Sequence, residues 1–284
     1  MDLNLKNITF IIVSFKSEKV IYNCLNSLPK DSNKIIIENS KDINLKKDLE
    51  SNYDNIEVIL NENLGMGASN NIGIKRSKTQ YVYILNPDVI FKSNTFENLS
   101  DASKKLDDFA IISPLHSKLN YPNYKPFNKT KDIDQNIIEV ESIDGFSMIL
   151  NKNKFEDNHF FDENFFLFLE NDDLCLRIKK RKEKIYIIKN SLIDHMGASS
   201  SNKDLDIECL RHWHWMWSKF YFNKKHYGFL NALSKIFINL ISSKIKFIYY
   251  LITLNSYKRK IYQMRISGLF SSIMGKKSYL RLKD

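Results

Sequence analysis

Over its first 110 residues the chain alternates short β-branched runs with helix-forming stretches, and this order limits the available folds more than any other feature. Strands are expected at Ile8–Val13, Lys34–Ile37, Ile56–Leu60 and Tyr81–Leu85. Helices are expected at Glu18–Leu28, Asn44–Ser51, Ala68–Ser77 and Asn94–Leu106. Strands joined through helices run parallel, and a parallel sheet must be covered on both faces. The reading is therefore an α/β fold with a mostly parallel central sheet flanked by helices. Further strands are expected at Ala110–Ile112, Ile137–Ser142, Met148–Leu150 and Ile185–Ile188. The stretch Asn120–Gln135, rich in Pro, Asn, Lys and Tyr, reads as a long surface loop. Beyond Leu205 the strand patterns stop. Residues 1–204 are thus expected to form one α/β domain, and residues 205–284 a helical C-terminal extension.

Charge enters because the net value of +10 suggests a nucleic-acid partner. Its distribution argues otherwise. Residues 205–284 hold 15 Lys/Arg against 3 Asp/Glu, whereas residues 1–204 hold 28 against 30. The excess is confined to a lysine-rich, apolar tail without a nucleic-acid motif, so no nucleic-acid partner is expected. Three widely spaced cysteines, Cys24, Cys175 and Cys209, form neither a disulfide framework nor a CxxC cluster, which fits a reducing compartment. The first apolar run, Ile8 to Val13, is too short for a secretory leader, and no run is long enough for a membrane span.

In an open parallel sheet, ligands bind beyond the carboxyl ends of the strands. Here four successive strands end in polar residues: Ser14-Phe15-Lys16, Glu38-Asn39-Ser40, Asn61 through Gly67, and Asn86-Pro87-Asp88. Gly65 and Gly67 lead into Ala68-Ser69-Asn70-Asn71 at a helix start. That arrangement suits close approach of an anion, and equally a tight capped turn. Asp88, just past a strand buried on both faces, can offer oxygens to a hard divalent cation; a type I turn fits the same residues. A very apolar run, Phe165 to Leu169, then delivers Glu170-Asn171-Asp172-Asp173 to the start of a helix. A carboxylate at the edge of an apolar wall has a raised pKa suited to proton abstraction. Asp194-His195 follows the strand Ile185–Ile188.

The ordered set VSFK, ENS, NENLGMGASNNIGI, YVYILNPD, DGFSMIL, FFDENFFLFLENDDLCLR and DHMGAS resembles family 2 glycosyltransferases, specifically their rhamnosyltransferase-like branch, over roughly residues 8–225. The resemblance implies a GT-A fold, a nucleoside-diphosphate sugar donor and inversion at the anomeric carbon. Ser14, Phe15 and Glu38, with Asn39 beside them, match positions on the base and ribose. Gly65 with Asn70 and Asn71 matches the loop over the nucleotide. Asn86 and Asp88 match the metal motif, and His195 matches a position that completes the metal site in some members. Mg²⁺ or Mn²⁺ held by Asp88 and His195 is the implied cofactor. The resemblance implies Asp, in most members, where this chain has Asn171, and an amide is no proton acceptor. The base role therefore falls to Glu170, with Asp172 as the substitute, and Asp173 is expected to pair with Arg177. Asp144, Gly145 and Phe146 are expected near the acceptor.

The function implied is transfer of a sugar, with rhamnose suggested by the branch, to a hydroxyl of a lipid-linked glycan in surface polysaccharide synthesis. Asn171 raises the alternative of a member that binds sugar nucleotide without turnover. The tail combines Trp, Tyr and Lys/Arg with apolar runs, as membrane interfaces do. It is expected to hold the protein peripherally on the anionic inner face of the cytoplasmic membrane. Lys235 and Lys246 share one face of the stretch Phe229–Leu254 and Lys244 lies opposite, so that stretch is not expected to be a simple amphipathic helix.

Overall fold

A computed structural model describes residues 2–118, 122–196 and 204–281. The strands are β1 (Ile8–Ser14), β2 (Asn33–Glu38), β3 (Ile56–Leu60), β4 (Tyr81–Leu85), β5 (Val89–Phe91), β6 (Ile111–His116), β7 (Tyr124–Asp132), β8 (Ile137–Ile143), β9 (Ser147–Asn151) and β10 (Ile185–His195). The helices are α1 (Glu18–Ser27), α2 (Ile43–Asn52), α3 (Met66–Arg76), α4 (Thr95–Lys105), α5 (Glu170–Lys180), α6 (Leu205–Tyr227), α7 (Phe229–Ile252) and α8 (Ser256–Ile273). Two compact units result. One comprises residues 1–162 and 170–200, the other residues 163–169 and 201–284.

All the strands belong to the first unit, in one sheet of order β3-β2-β1-β4-β9-β6-β10-β8-β7, with β5 paired to β10. Strands β3, β2, β1 and β4 run parallel. Strand β9 is antiparallel to both β4 and β6, so the sheet is mixed beyond β4. β1 and β4 are buried along their whole length, as continuous apolar runs covered on both faces must be. Alternate residues feed two cores. Phe10, Ile12 and Tyr83 pack with Ile21, Leu49 and Leu99 from α1, α2 and α4. Ile11, Val82 and Ile84 pack with Ile74, Leu174 and Ile178 from α3 and α5. Period-2 alternation in the strands meets period-3.6 stripes in the helices, as the sequence pattern requires.

The expected loop at Asn120–Gln135 is overturned: Tyr124–Asp132 is a mostly exposed strand pairing with β8 across two register shifts. Lysines and a proline mark solvent-facing edge strands as well as loops, so composition could not separate the two. Residues 120 and 121 lie outside the described residues. The expected strand Ile185–Ile188 continues past a bulge between Ile188 and Leu192 as far as His195, which therefore lies in a strand and not after one.

The second unit contains α6, α7 and α8 around Met216, Phe220, Ala232, Ile236 and Leu269. Glu163–Leu169 belongs with it. The Phe166 ring lies 4.6 Å from that of His214, and the Ser218 hydroxyl donates to the Leu167 carbonyl at 2.9 Å. Helices α6 and α8 approach at Gly268, where a Cβ would sit 2.2 Å from the Trp213 carbonyl oxygen. Backbone cannot yield as a flexible side chain does. Gly268→Ala should therefore destabilise this unit by about 3 kcal/mol through overpacking. The chain's three tryptophans all lie in α6, so their fluorescence during urea unfolding isolates the effect. An unchanged midpoint would refute it.

Candidate active site

Because β1 is the first strand and its neighbours β2 and β4 are reached in opposite directions, the β1/β4 edge is the topological switch point, where such sheets bind ligands. Ser14 pairs in register with Glu38, and Glu38 with Leu60, so the carboxyl ends of β1, β2 and β3 lie side by side. Asn86 follows directly from β4. Buried polar atoms normally find partners. Here Ser14 Oγ, Asn70 Oδ1, Asn86 Oδ1 and Glu170 Oε2 are shielded from solvent without one. Ser14 and Asn86 flank the switch point, Asn70 stands in the first turns of α3, and Glu170 opens α5. Orphaned atoms on four elements of one unit are what a site built for a polar ligand leaves behind.

Other expected donor residues do structural work. Glu38 accepts from the Ser40 and Asp42 amides at 3.0 and 2.8 Å and from the Ser40 hydroxyl at 2.5 Å, fixing the loop after β2. Asn39 exchanges hydrogen bonds with the Ser69 hydroxyl at 2.9 and 3.0 Å and accepts from Asn61 Nδ2, tying the segments after β2 and β3 to α3. Phe15 is half-buried, and Gly65 precedes α3 with φ of 95°, a conformation that favours glycine. Asn71 forms a two-way clamp with Phe161, donating to its carbonyl at 2.9 Å and accepting from its amide at 3.0 Å. A Cβ on Gly67 would lie 3.1 Å from Phe161 Cβ and 3.6 Å from Glu170 Cβ. The glycine loop and the acidic helix therefore meet directly. Asn71→Ala leaves both backbone groups of Phe161 without this partner; a loss of about 2 kcal/mol is expected in urea unfolding, and no loss would refute the clamp.

Asp88 Oδ1 lies 3.3 Å from His195 Nε2, although 107 positions separate them. The short strand β5, which the sequence reading did not anticipate, brings them together. It pairs antiparallel with β10, setting Val89 opposite His195, and the Met196 amide donates to the Asp88 carbonyl at 3.2 Å. Phe146 is buried and stacks on the His195 ring, with centroids 4.0 Å apart and planes 14° apart. Asp194 is held by Lys92 and Ser117. No group of three or more His, Cys, Asp or Glu side chains converges for a metal among the described residues. One carboxylate and one imidazole, with the unpartnered amide oxygen of Asn86 two residues from Asp88, are a donor set that would fit a divalent ion.

Burial, the largest cause, raises the Glu170 carboxyl from 4.5 to about 7; its backbone hydrogen bond opposes this and the charge of Asp172 adds to it. Asp172 is also raised, first by burial and then by Asp144. Asp173 pairs with Arg177 at 2.9 Å, and Arg177 in turn donates to the carbonyls of His159 and Phe160. Asn171 Nδ2 donates to the Ile143 carbonyl at 2.9 Å, and a Cβ on Gly145 would lie 3.1 Å from Asn171 Cβ. Asn171 thus anchors α5 to the end of β8, beside the Asp144–Gly145 turn, through a bond that a carboxylate could not donate.

The mostly parallel sheet with helices on both faces is the fold of GT-A glycosyltransferases. The glycosyl transferase family 2 model matches residues 9–176, more than half of the chain, and the chain belongs to that family. It is 27% identical to rhamnosyltransferase WbbL of Escherichia coli K12, over 63% of this chain and 79% of that protein. It is 25% identical to the low-salt glycan biosynthesis hexosyltransferase Agl10 of Haloferax volcanii, over 67% of this chain and 66% of that protein. Among solved structures it resembles the mannosyltransferase PcManGT from Pyrobaculum calidifontis in complex with GDP-Man and Mn²⁺. That match has a TM-score of 0.54 and 10% identity, covering 95% of this chain and 88% of the other.

Proposed function

We propose that this glycosyltransferase moves a sugar from a nucleoside-diphosphate donor to a hydroxyl of a lipid-linked glycan acceptor, with inversion, in surface polysaccharide synthesis. The observation that carries the reading is the Glu170 carboxyl at the start of α5, whose Oε2 is shielded from solvent without a partner; desolvation there raises its pKa to about 7. A base poised near working pH is what deprotonation of a hydroxyl requires. Glu170 takes the acceptor proton as the hydroxyl oxygen attacks the anomeric carbon from the face opposite the diphosphate. A single displacement with one base inverts configuration. Ser14, Phe15 and Asn70 are assigned to the nucleoside. Asp172, beside Asp144, is assigned to orienting the acceptor and supporting the charge on the base.

Asp88 and His195, with Asn86 nearby, would hold Mg²⁺ or Mn²⁺, which when bound stabilises negative charge on the departing diphosphate as a Lewis acid. Phe146 keeps His195 in place by stacking. Two relatives, one a rhamnosyltransferase and one a hexosyltransferase, favour a hexose or deoxyhexose donor, rhamnose among them. The donor class is tested by thermal shift against UDP-, GDP- and dTDP-sugars with Mn²⁺. One nucleotide class should raise the melting temperature by several degrees only when metal is present. No shift with any donor would sink the reading. Donor binding without turnover would favour the alternative that Asn171 marks a binding-only member.

A further inference from the structure

The second unit carries an exposed apolar stripe that none of its described elements covers. Along α7, Ala232, Ile236 and Ser243 are buried, facing inward. On the opposite side Leu230, Phe237, Ile238, Ile241, Ile245 and Ile252 are exposed; Leu230, Ile238 and Ile252 retain 74–80% of their accessible surface. At about 100° per residue these side chains fall on one face roughly 33 Å long. Lys235 and Lys246 border that face on one side and Lys244 on the other, roughly 80–120° from its centre. The three lysines, which in sequence looked badly placed for an amphipathic helix, flank a second apolar face pointing away from the core. Their ammonium groups lie over rings that border the stripe, Lys235 Nζ over Tyr227 at 4.1 Å, Lys246 Nζ over Tyr262 at 5.5 Å and Lys244 Nζ over Phe270 at 5.7 Å from the ring centroid. The stripe continues to Leu254 and Tyr257 at the α7–α8 turn, next to Lys258, Arg259 and Lys260.

Contiguous exposed apolar surface of this extent marks an interaction site. We propose that its occupant is a bilayer surface bearing anionic headgroups, with α7 lying in the interface plane, isoleucines down and lysines reaching the headgroups. Charge decides between this and a second copy of the chain. Between Glu208 and Asp284 there is no acidic residue. Two such faces meeting would bring lysine against lysine with nothing to neutralise them. An anionic interface accepts both features, the apolar stripe and its basic borders. No helix among the described residues is long and apolar enough to cross a membrane. The proposal goes beyond the transfer reaction, because vesicle binding needs neither donor nor acceptor.

Flotation of the full chain with phosphatidylcholine vesicles, with and without phosphatidylglycerol, tests it. Binding should require phosphatidylglycerol and weaken with salt. The combined exchange Ile238→Ser, Ile245→Ser and Ile252→Ser should lower partitioning by about tenfold or more, while circular dichroism and the donor-induced thermal shift stay unchanged. Lys235→Glu with Lys246→Glu should weaken binding to anionic vesicles only. Wild-type flotation by the isoleucine variant would overturn the proposal, as would equal binding to neutral vesicles. A wild-type dimer that the isoleucine exchange converts to monomer would overturn it in favour of a second copy.

Discussion

Glu170→Gln should lower turnover by about 10²–10⁴-fold while donor binding persists. The amide keeps the shape of the side chain and cannot take the acceptor proton. The wild-type rate should rise as pH increases through about 7, since only the ionised carboxylate is a base, and the variant's residual rate should lack that limb. The same substitution carries a stability signature. The folded-state pKa lies above the unfolded value, so the favourable contribution is complete below about 4.5 and is lost as pH rises through 7. Removing the ionisable group removes that loss. At pH 8 the variant should be more stable than wild type by on the order of 2–3 kcal/mol, and at pH 4 about equal to it. A residue that loses catalysis and gains alkaline stability is buried for its chemistry. A fall in both activity and stability would point instead to a structural role.

Asp88→Ala should cost at least about a hundredfold in turnover, because it removes the carboxylate assigned to the charge that builds on the diphosphate. The loss should appear in binding as well as rate. Calorimetry of Mn²⁺ with nucleoside diphosphate should show coupled binding in wild type and none in the variant. His195→Ala should weaken that coupling less, since an imidazole contributes a neutral ligand beside an anionic one. The ordinary metal coupling in Asp88→Ala would refute the assignment, whatever the rate. Because Asp88 is 4% exposed and its backbone carbonyl receives the Met196 amide, Asp88→Asn is the companion variant that preserves packing.

The parallel half of the sheet was legible because burial on both faces writes itself as uninterrupted runs such as Tyr-Val-Tyr-Ile-Leu at 81–85. Strand ends were legible too, since a helix must follow and the turn needs polar residues. The edge strand β7 was not, because exposure on both faces erases the alternation that marks a strand. At the site, Asp88 and Glu170 stood out by their positions, but their environment did not. The His195–Asp88 approach depends on β5, three residues whose pairing to β10 leaves no local signature. The use of Asn71 on Phe161 and of Asn171 on Ile143 spans 90 and 28 positions respectively, and side-chain-to-backbone bonds at that range cannot be read from spacing. The tail showed the opposite failure. Lys244 seemed to spoil a helix face, whereas the packing of α7 through Ala232 and Ile236 leaves the lysines at the borders of an outward one.

The most direct test of the account is release of nucleoside diphosphate from the donor identified by thermal shift, followed with Mn²⁺ and a lipid-linked glycan acceptor in wild type and in Glu170→Gln. The account predicts acceptor-dependent release in wild type and its loss in the variant, with donor binding intact in both. Equal release from the two proteins would contradict it.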